Sequence, residues 1–304
     1  LYTPAETAHA AKNIVSRYGR RLTYLVEILK ALCLDGEIDM NDQTVMGFVA
    51  EYPVWLRAAG WGLVSSSGLL IGAGGGYYLS LQHTVVARVM TLAAGILLAA
   101  VAADLIVNAR ASTSLSLTVA GLLGGAAVFS SVNWLLSRHG AKDRKRCGEC
   151  VEQSSEDQQP GSGLAIAAGT FLDGVPEGVV LGLSVLYQGA PGFGTVAAFF
   201  LANIPEALSS SAGMRRAGRS ARYVFGLWIG IALMIGLAAV FAALVLRDTG
   251  PTVRGTVDAF AAGAILALVS ETMIPEAFHG SPKFNGLLLV VGFVGLLILL
   301  ALGH

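Results

Sequence analysis

Eight apolar stretches separated by polar breaks occupy most of the chain. They fall near Leu56–Leu79, Val85–Ile106, Leu115–Leu136, Leu164–Leu186, Val196–Met214, Val224–Leu246, Val257–Ile274 and Leu287–Leu302. Each approaches the length that a tilted membrane helix needs. Residues 1–52 have a different texture. Thr3-Pro4-Ala5-Glu6 predicts a helix start, with Thr3 as the cap, Pro4 in the first position and Glu6 reaching back. Basic and apolar residues then alternate at helical spacing through Lys30. Asp35-Gly36-Glu37-Ile38-Asp39 breaks that pattern, and a second helix is predicted from Asn41 to Glu51. The division is therefore a small helical extramembrane segment over 1–52, then a membrane domain over 53–304. A polar loop over 138–163 interrupts the latter.

Composition supports this class. Only 13% of residues are charged and 54% are hydrophobic, whereas a soluble chain carries about 25% charged residues. Mean hydropathy is +0.66. The fold class expected is an all-α polytopic membrane protein, set in a lipid bilayer. A formal net charge of zero argues against nucleic acid as a partner. The 38 glycines suit close approach of helices within a bilayer, and Gly72-Ala73-Gly74-Gly75-Gly76 reads as packing, since no Lys-Ser or Lys-Thr follows it as in a phosphate loop. The chain begins at Leu1 without a Met, which leaves room for an upstream signal peptide.

Lys and Arg set the expected orientation. The loop after the third stretch holds Arg138, Lys142, Arg144, Lys145 and Arg146; the loop after the fifth holds Arg215, Arg216, Arg219 and Arg222. Placing these loops in the cytoplasm puts both termini outside, in a plasma (inner) membrane.

The candidate chemistry sits inside the apolar runs. Asp173 and Glu177 are four residues apart in the fourth stretch, hence on one face of a helix. Pro176 between them lacks an N–H, which frees the carbonyl of Leu172. One turn thus offers two carboxylates and a carbonyl, all oxygen ligands. Carboxylates are expensive at that depth and mark ion or substrate paths. The pattern recurs as Asn203-Ile204-Pro205-Glu206 and as Glu271-Thr272-Met273-Ile274-Pro275-Glu276. A polar chamber lined by several helices explains all three.

Other motifs carry less. Asp35 to Asp42 resembles the second half of an EF-hand loop, but Ala31 and Cys33 stand where the first oxygen ligands belong. A helical hairpin with an Asp-Gly turn, similar to TerB-type modules, fits better. Cys147 and Cys150 form a lone Cys-x-x-Cys, near His139, Glu149 and Glu152; a solvated linker with spare thiols is preferred over transient metal handling. No His-Glu-x-x-His and no Gly-x-Ser-x-Gly is present, which argues against an enzyme.

On these residues the chain resembles the ZIP (Zrt/Irt-like) family of divalent-metal transporters over about 56–304. Pro176, Glu177 and Gly178 match the family's fourth-span motif; Asp173 stands where a His is usual, and Gly174 where an Asn is usual. Asn203, Pro205 and Glu206 match the fifth span. Gly95 with the following Leu-Leu-Ala-Ala, and Ser270 to Ala277, match the second and seventh. The resemblance implies eight helices in a 3+2+3 inverted repeat, a homodimer, and elevator-like motion of the second, fourth, fifth and seventh helices. Some relatives hold two metals, using the fourth-span Asn and a sixth-span acid. Here the sixth span reads Gly230 to Ile235 with no acid, so one metal is expected. The family's second-span ligand falls near Leu97, which cannot ligate, and Asp104 is the acid that replaces it.

The function expected is therefore import of a divalent transition metal (Zn, or Mn, Fe(II) or Cd) as cargo, with no prosthetic group. Asp173, Glu177, Asn203 and Glu206 form the metal site. Asp104 collects ions outside, while Glu271, Glu276 and His279 receive them inside. An all-oxygen set selects less sharply for Zn than one containing His. Alternatives are a divalent-cation channel, to be separated by whether flux saturates, and a metal sensor using residues 1–52, to be tested by deleting them.

Overall fold

The computed structural model describes residues 52–79, 82–136, 138, 162–280 and 284–302. The helical hairpin expected over 1–52, with its Asp-Gly turn, lies outside the described residues. So do Cys147, Cys150 and almost all of the loop over 138–163.

Every described element is helical. α1 is Val54–Tyr78. α2 runs over His83–Ala100, through a π-helical turn Val101–Leu105, into Ile106–Ser112. α3 is Leu115–Leu136, α4 is Ser162–Gln188 and α5 is Phe193–Arg216. α6 is Ala221–Val245. α7 is Pro251–Leu268 followed by a second π turn, Val269–Met273, and Ile274–Gly280. α8 is Asn285–Leu302.

Local chemistry sets several of these ends. Ser220 caps α6 by accepting from the backbone N–H of Tyr223 at 3.3 Å. Pro251 opens α7, where its missing N–H costs nothing. Gly218, at φ +77°, turns the chain out of α5, as a left-handed residue does just past a helix end.

Among the described residues, six helices are long and apolar enough to cross a membrane: α1, α2, α3, α4 from Ala168, α6 and α7 to Phe278. The fifth expected span is helical as α5, but Asn203, Glu206 and the run Ser209 to Ser211 dilute its apolar character. The eighth is a shorter apolar helix, Asn285–Ala301.

The described helices of Pro53–His304 belong to one compact unit. Within it α1 packs on α5 and α6, α4 on α6 and α7, α3 on α7, and α2 on α5, α7 and α8. The approach of α1 to α5 is close because Gly68, Gly72 and Gly76 share one face. A Cβ there would come within 2.2, 2.1 and 2.2 Å of the carbonyl oxygens of Phe200, Ile204 and Leu208. Only glycine permits backbones this near, and dispersion between them replaces the hydrophobic drive that lipid does not supply. The expected packing role of the Gly72–Gly76 run thus falls on Gly72 and Gly76, while Gly74 faces open space. Large apolar residues such as Ile71, Leu123, Leu237 and Phe241 lie on the outer surface, as an apolar solvent requires.

Candidate metal pathway

The close α1–α5 seam puts polar groups where three helices meet. Asp173 and Glu177 of α4 are each 1% exposed, and Asn203 and Glu206 of α5 are 2% and 3% exposed. Both pairs flank a proline inside a helix, Pro176 and Pro205. The Nδ2 of Asn203 donates to Glu177 Oε2 at 3.1 Å and to the Ser65 carbonyl of α1 at 3.4 Å. A neutral amide thus ties the buried carboxyl group of Glu177 on α4 to both neighbouring helices. The hydroxyl of Ser65 is itself fully buried and has no hydrogen-bond partner among the described residues. The adjacent Ser66 hydroxyl is placed toward α6 instead, with the Ala232 carbonyl 3.4 Å away.

Of the four residues expected to share one site, Glu177 and Asn203 are in direct contact. Asp173 and Glu206 are buried on the same two helices. Among the described residues, no group of three or more His, Cys, Asp or Glu side chains is gathered tightly enough to hold a metal ion.

The α6 side of α4 is closed. A Cβ at Gly174 would stand 2.6 Å from both Cγ1 and Cδ1 of Ile235, and one at Gly178 would stand 2.6 Å from the Ile235 carbonyl oxygen. Ile235 is 1% exposed, so an apolar side chain fills the space beside Gly174. Leu233 and Met234 are largely exposed on the outer surface of α6.

Two further polar groups flank this centre. At the end formed by the last turns of α2 and α4 and the first turns of α5 and α7, Asp104 sits in the π turn of α2. It accepts from Asn108 Nδ2 at 2.6 Å and from the hydroxyl of Thr195 in α5. Asp258 of α7, 4% exposed, lies close enough to Asp104 for direct charge–charge interaction. Tyr187 lies within electrostatic reach of Asp258 and Arg254. Asp258 and Ser65 are absent from the sequence-derived set. Asp258 had the same signal as Asp104, a lone acid in an apolar run. Ser65 had none, since serines are common in membrane helices.

At the opposite end, Glu271 sits in the π turn of α7. It is exposed and accepts from the Ser130 hydroxyl and from Asn133 Nδ2 at 2.9 Å, both on α3. Glu276, 6% exposed, accepts from the Ser209 hydroxyl of α5 at 2.6 Å. The side chain of His279 lies outside the described residues. On α7 alone, Asp258 and Glu276 are separated by about 27 Å of helix axis, close to the ~30 Å of a bilayer's hydrocarbon core. Single π turns recur at functional positions in helices, and both here carry an acid.

Helices long and apolar enough to cross a bilayer, with carboxylates buried among them, are the build of an integral membrane protein. The ZIP Zinc transporter family model matches residues 136–302, a stretch that contains Asp173, Glu177, Asn203, Glu206, Asp258, Glu271 and Glu276. The chain belongs to the ZIP zinc transporter family, whose function is transport of divalent metal cations, not catalysis. Asp104 lies outside the matched stretch. No curated protein matches the chain significantly.

Proposed function

We propose that the chain is a carrier that imports a divalent transition-metal cation (Zn, with Mn, Fe(II) and Cd as candidate cargoes) into the cytoplasm. Glu177, Asn203, Asp173 and Glu206 form its intramembrane site, Asp104 with Asp258 its entrance, and Glu276 with Glu271 its exit. The observation that carries this reading is the buried Asn203–Glu177 bond at 3.1 Å. It sets an oxygen ligand and a charged carboxylate side by side at a depth where an unused carboxylate is costly.

The chain crosses the membrane eight times, with α5 and α8 as the two spans of weaker apolar signal and both termini outside, in a plasma membrane. The neighbour pattern supports a 3+2+3 inverted repeat. Exchanging α1 with α6, α2 with α7, α3 with α8 and α4 with α5 turns the pair α1–α5 into α6–α4. It likewise turns α2–α8 into α7–α3 and α2–α5 into α7–α4, all of which pack. The same exchange relates the two π turns, and it relates Pro176 of α4 to Pro205 of α5. In this carrier α2, α4, α5 and α7 move as an elevator within a homodimer, and residues 1–52 form a separate extramembrane module.

The site takes one ion. Ile235 fills the space beside Gly174, and three carboxylates cannot neutralise two divalent ions held about 4 Å apart. Purified chain in proteoliposomes tests the whole reading. Uptake of Zn, Mn, Fe(II) and Cd is measured with and without a pH gradient. Saturable flux of at least one of these is expected. Flux that rises without saturation points to a channel, and no flux of any of them overturns the proposal.

A further inference from the structure

We infer that the chain binds an anionic phospholipid at the arginine-rich end of the bundle, with the lipid phosphate held by Arg215 and Arg216. A cavity of about 300 Å³ opens there, walled by Leu79, Val86, Leu208 and Ala212, with Arg215 and Arg216 at its rim. It lies where α1, α2 and α5 meet. Among the described residues its lining includes no Asp or Glu, and the stretch from 215 to 222 holds four arginines and no acid.

The guanidinium of Arg215 is held in place. Its Nη1 donates to the Tyr77 carbonyl at 2.6 Å, and its Cζ lies 5.9 Å from the Tyr77 ring centre. The remaining N–H groups form the fork that matches phosphate oxygens. Next to Tyr77, the rings of Tyr78 and Phe225 stack at 6.0 Å, and Arg219, whose carbonyl accepts from the Tyr77 hydroxyl at 3.2 Å, donates from Nη1 to the Tyr223 hydroxyl at 2.7 Å. Tyrosine and arginine together are the side chains of a membrane–water boundary.

Apolar walls argue for a lipid over a free anion. Tyr78, Leu79 and Val85, beside the cavity, are 65%, 57% and 41% exposed, so the cavity continues onto the lipid-facing surface. A headgroup with its glycerol fits the volume, and the acyl chains run down the outside. Basic pockets between membrane helices on the cytoplasmic side take anionic headgroups in this way. The lipid contacts α1 on one side and α2 and α5 on the other. In the carrier proposed above, on which this last step rests, it spans the seam between moving and stationary helices.

The test measures lipid retention directly, apart from transport. The full chain is purified from vesicles of equal phosphatidylglycerol and phosphatidylcholine, and co-purifying lipid is counted by native mass spectrometry. Selective retention of phosphatidylglycerol is expected. Arg215→Gln with Arg216→Gln should weaken it about fivefold per arginine. Ala212→Leu, which fills the cavity and leaves both guanidinium groups, should also reduce it. Soluble glycerophosphate should fail to displace the lipid. Equal retention of both lipids overturns the inference, as does unchanged retention in both variants. Full displacement by glycerophosphate overturns the lipid assignment in favour of a free-anion site. Retention in a Glu177→Ala chain that no longer transports separates this site from the metal pathway.

Discussion

The two π turns carry the same kind of group and surround it differently. Asp104 in α2 is partly buried, bonds Asn108 and Thr195, and has a second carboxylate, Asp258, within direct electrostatic reach. Glu271 in α7 is exposed and bonds two neutral donors of α3, Ser130 and Asn133. The next acid along, Glu276, is engaged separately by Ser209. One end brings two carboxylates together, and at the other the donors to Glu271 are neutral. Clefts lined by one sign of charge raise the local concentration of the opposite ion. Neutral donors bond the acids at both ends, so the difference lies in the second carboxylate, whose field adds to that of Asp104. In the importer proposed above, the Asp104 end captures the ion and the Glu271 end releases it.

In the proposed carrier both ends serve the centre, so the largest effect is expected there. Glu177→Ala should abolish uptake while leaving insertion and the helical circular-dichroism signal unchanged. The lost group is the one carboxylate that both contacts Asn203 and occupies the proline turn. Wild-type uptake by an inserted Glu177→Ala protein sinks the site, and with it any meaning for the two ends.

The entrance comes next. Asp104→Asn or Asp258→Asn should raise the KM for metal roughly tenfold with little change in maximal rate, because a charge a few ångströms from a divalent ion is worth one to a few kcal/mol at intermediate dielectric. The double variant should cost less than the product of the two, since the pair acts as one field. A strictly multiplicative double variant, or a change confined to maximal rate, breaks the capture half of the comparison.

Much of this arrangement was legible along the chain, for a physical reason. A bilayer demands long apolar runs, so each polar interruption stands out. The predicted stretch Leu115–Leu136 agrees end for end with α3, and the others fall within a turn or so of theirs at most ends. The acids of α4, α5 and α7 were visible for the same reason. The lateral neighbours were not. That Asp258 faces Asp104, that Glu271 meets Ser130 and Asn133, and that Ser65 abuts Asn203 depend on which helix faces lie together. Hydropathy fixes helix ends and is silent on rotation. The π turns were also invisible, because an extra residue in a turn leaves no mark on an apolar run.

The release half of the comparison predicts a smaller change. Glu271→Gln keeps the hydrogen-bonding shape and removes the charge at an exposed position, where solvent screening limits its influence. A two- to threefold change in maximal rate is expected, with KM for external metal unchanged. If Glu271→Gln raises KM as Asp104→Asn does, the ends are equivalent and the assignment of capture and release falls.

The smallest effect tests what α1 contributes between the two mouths. Ser65 is fully buried and its hydroxyl has no partner among the described residues, whereas its own carbonyl is reached by Asn203. A buried hydroxyl without a partner costs on the order of 1 kcal/mol or more, so Ser65→Ala should leave the metal-free protein as stable or slightly more stable. If the hydroxyl instead completes the oxygen shell around the cargo, the same substitution should shrink the rise in melting temperature caused by metal and weaken binding by a few-fold, on the scale of one net hydrogen bond. The two readouts separate the roles. Gain of stability without metal together with a smaller metal-induced shift means that α1, which the carrier reading holds stationary, lends a ligand to the ion carried by α4 and α5. An unchanged metal-induced shift leaves Ser65 as a packing residue, and the ion is then held by the moving helices alone.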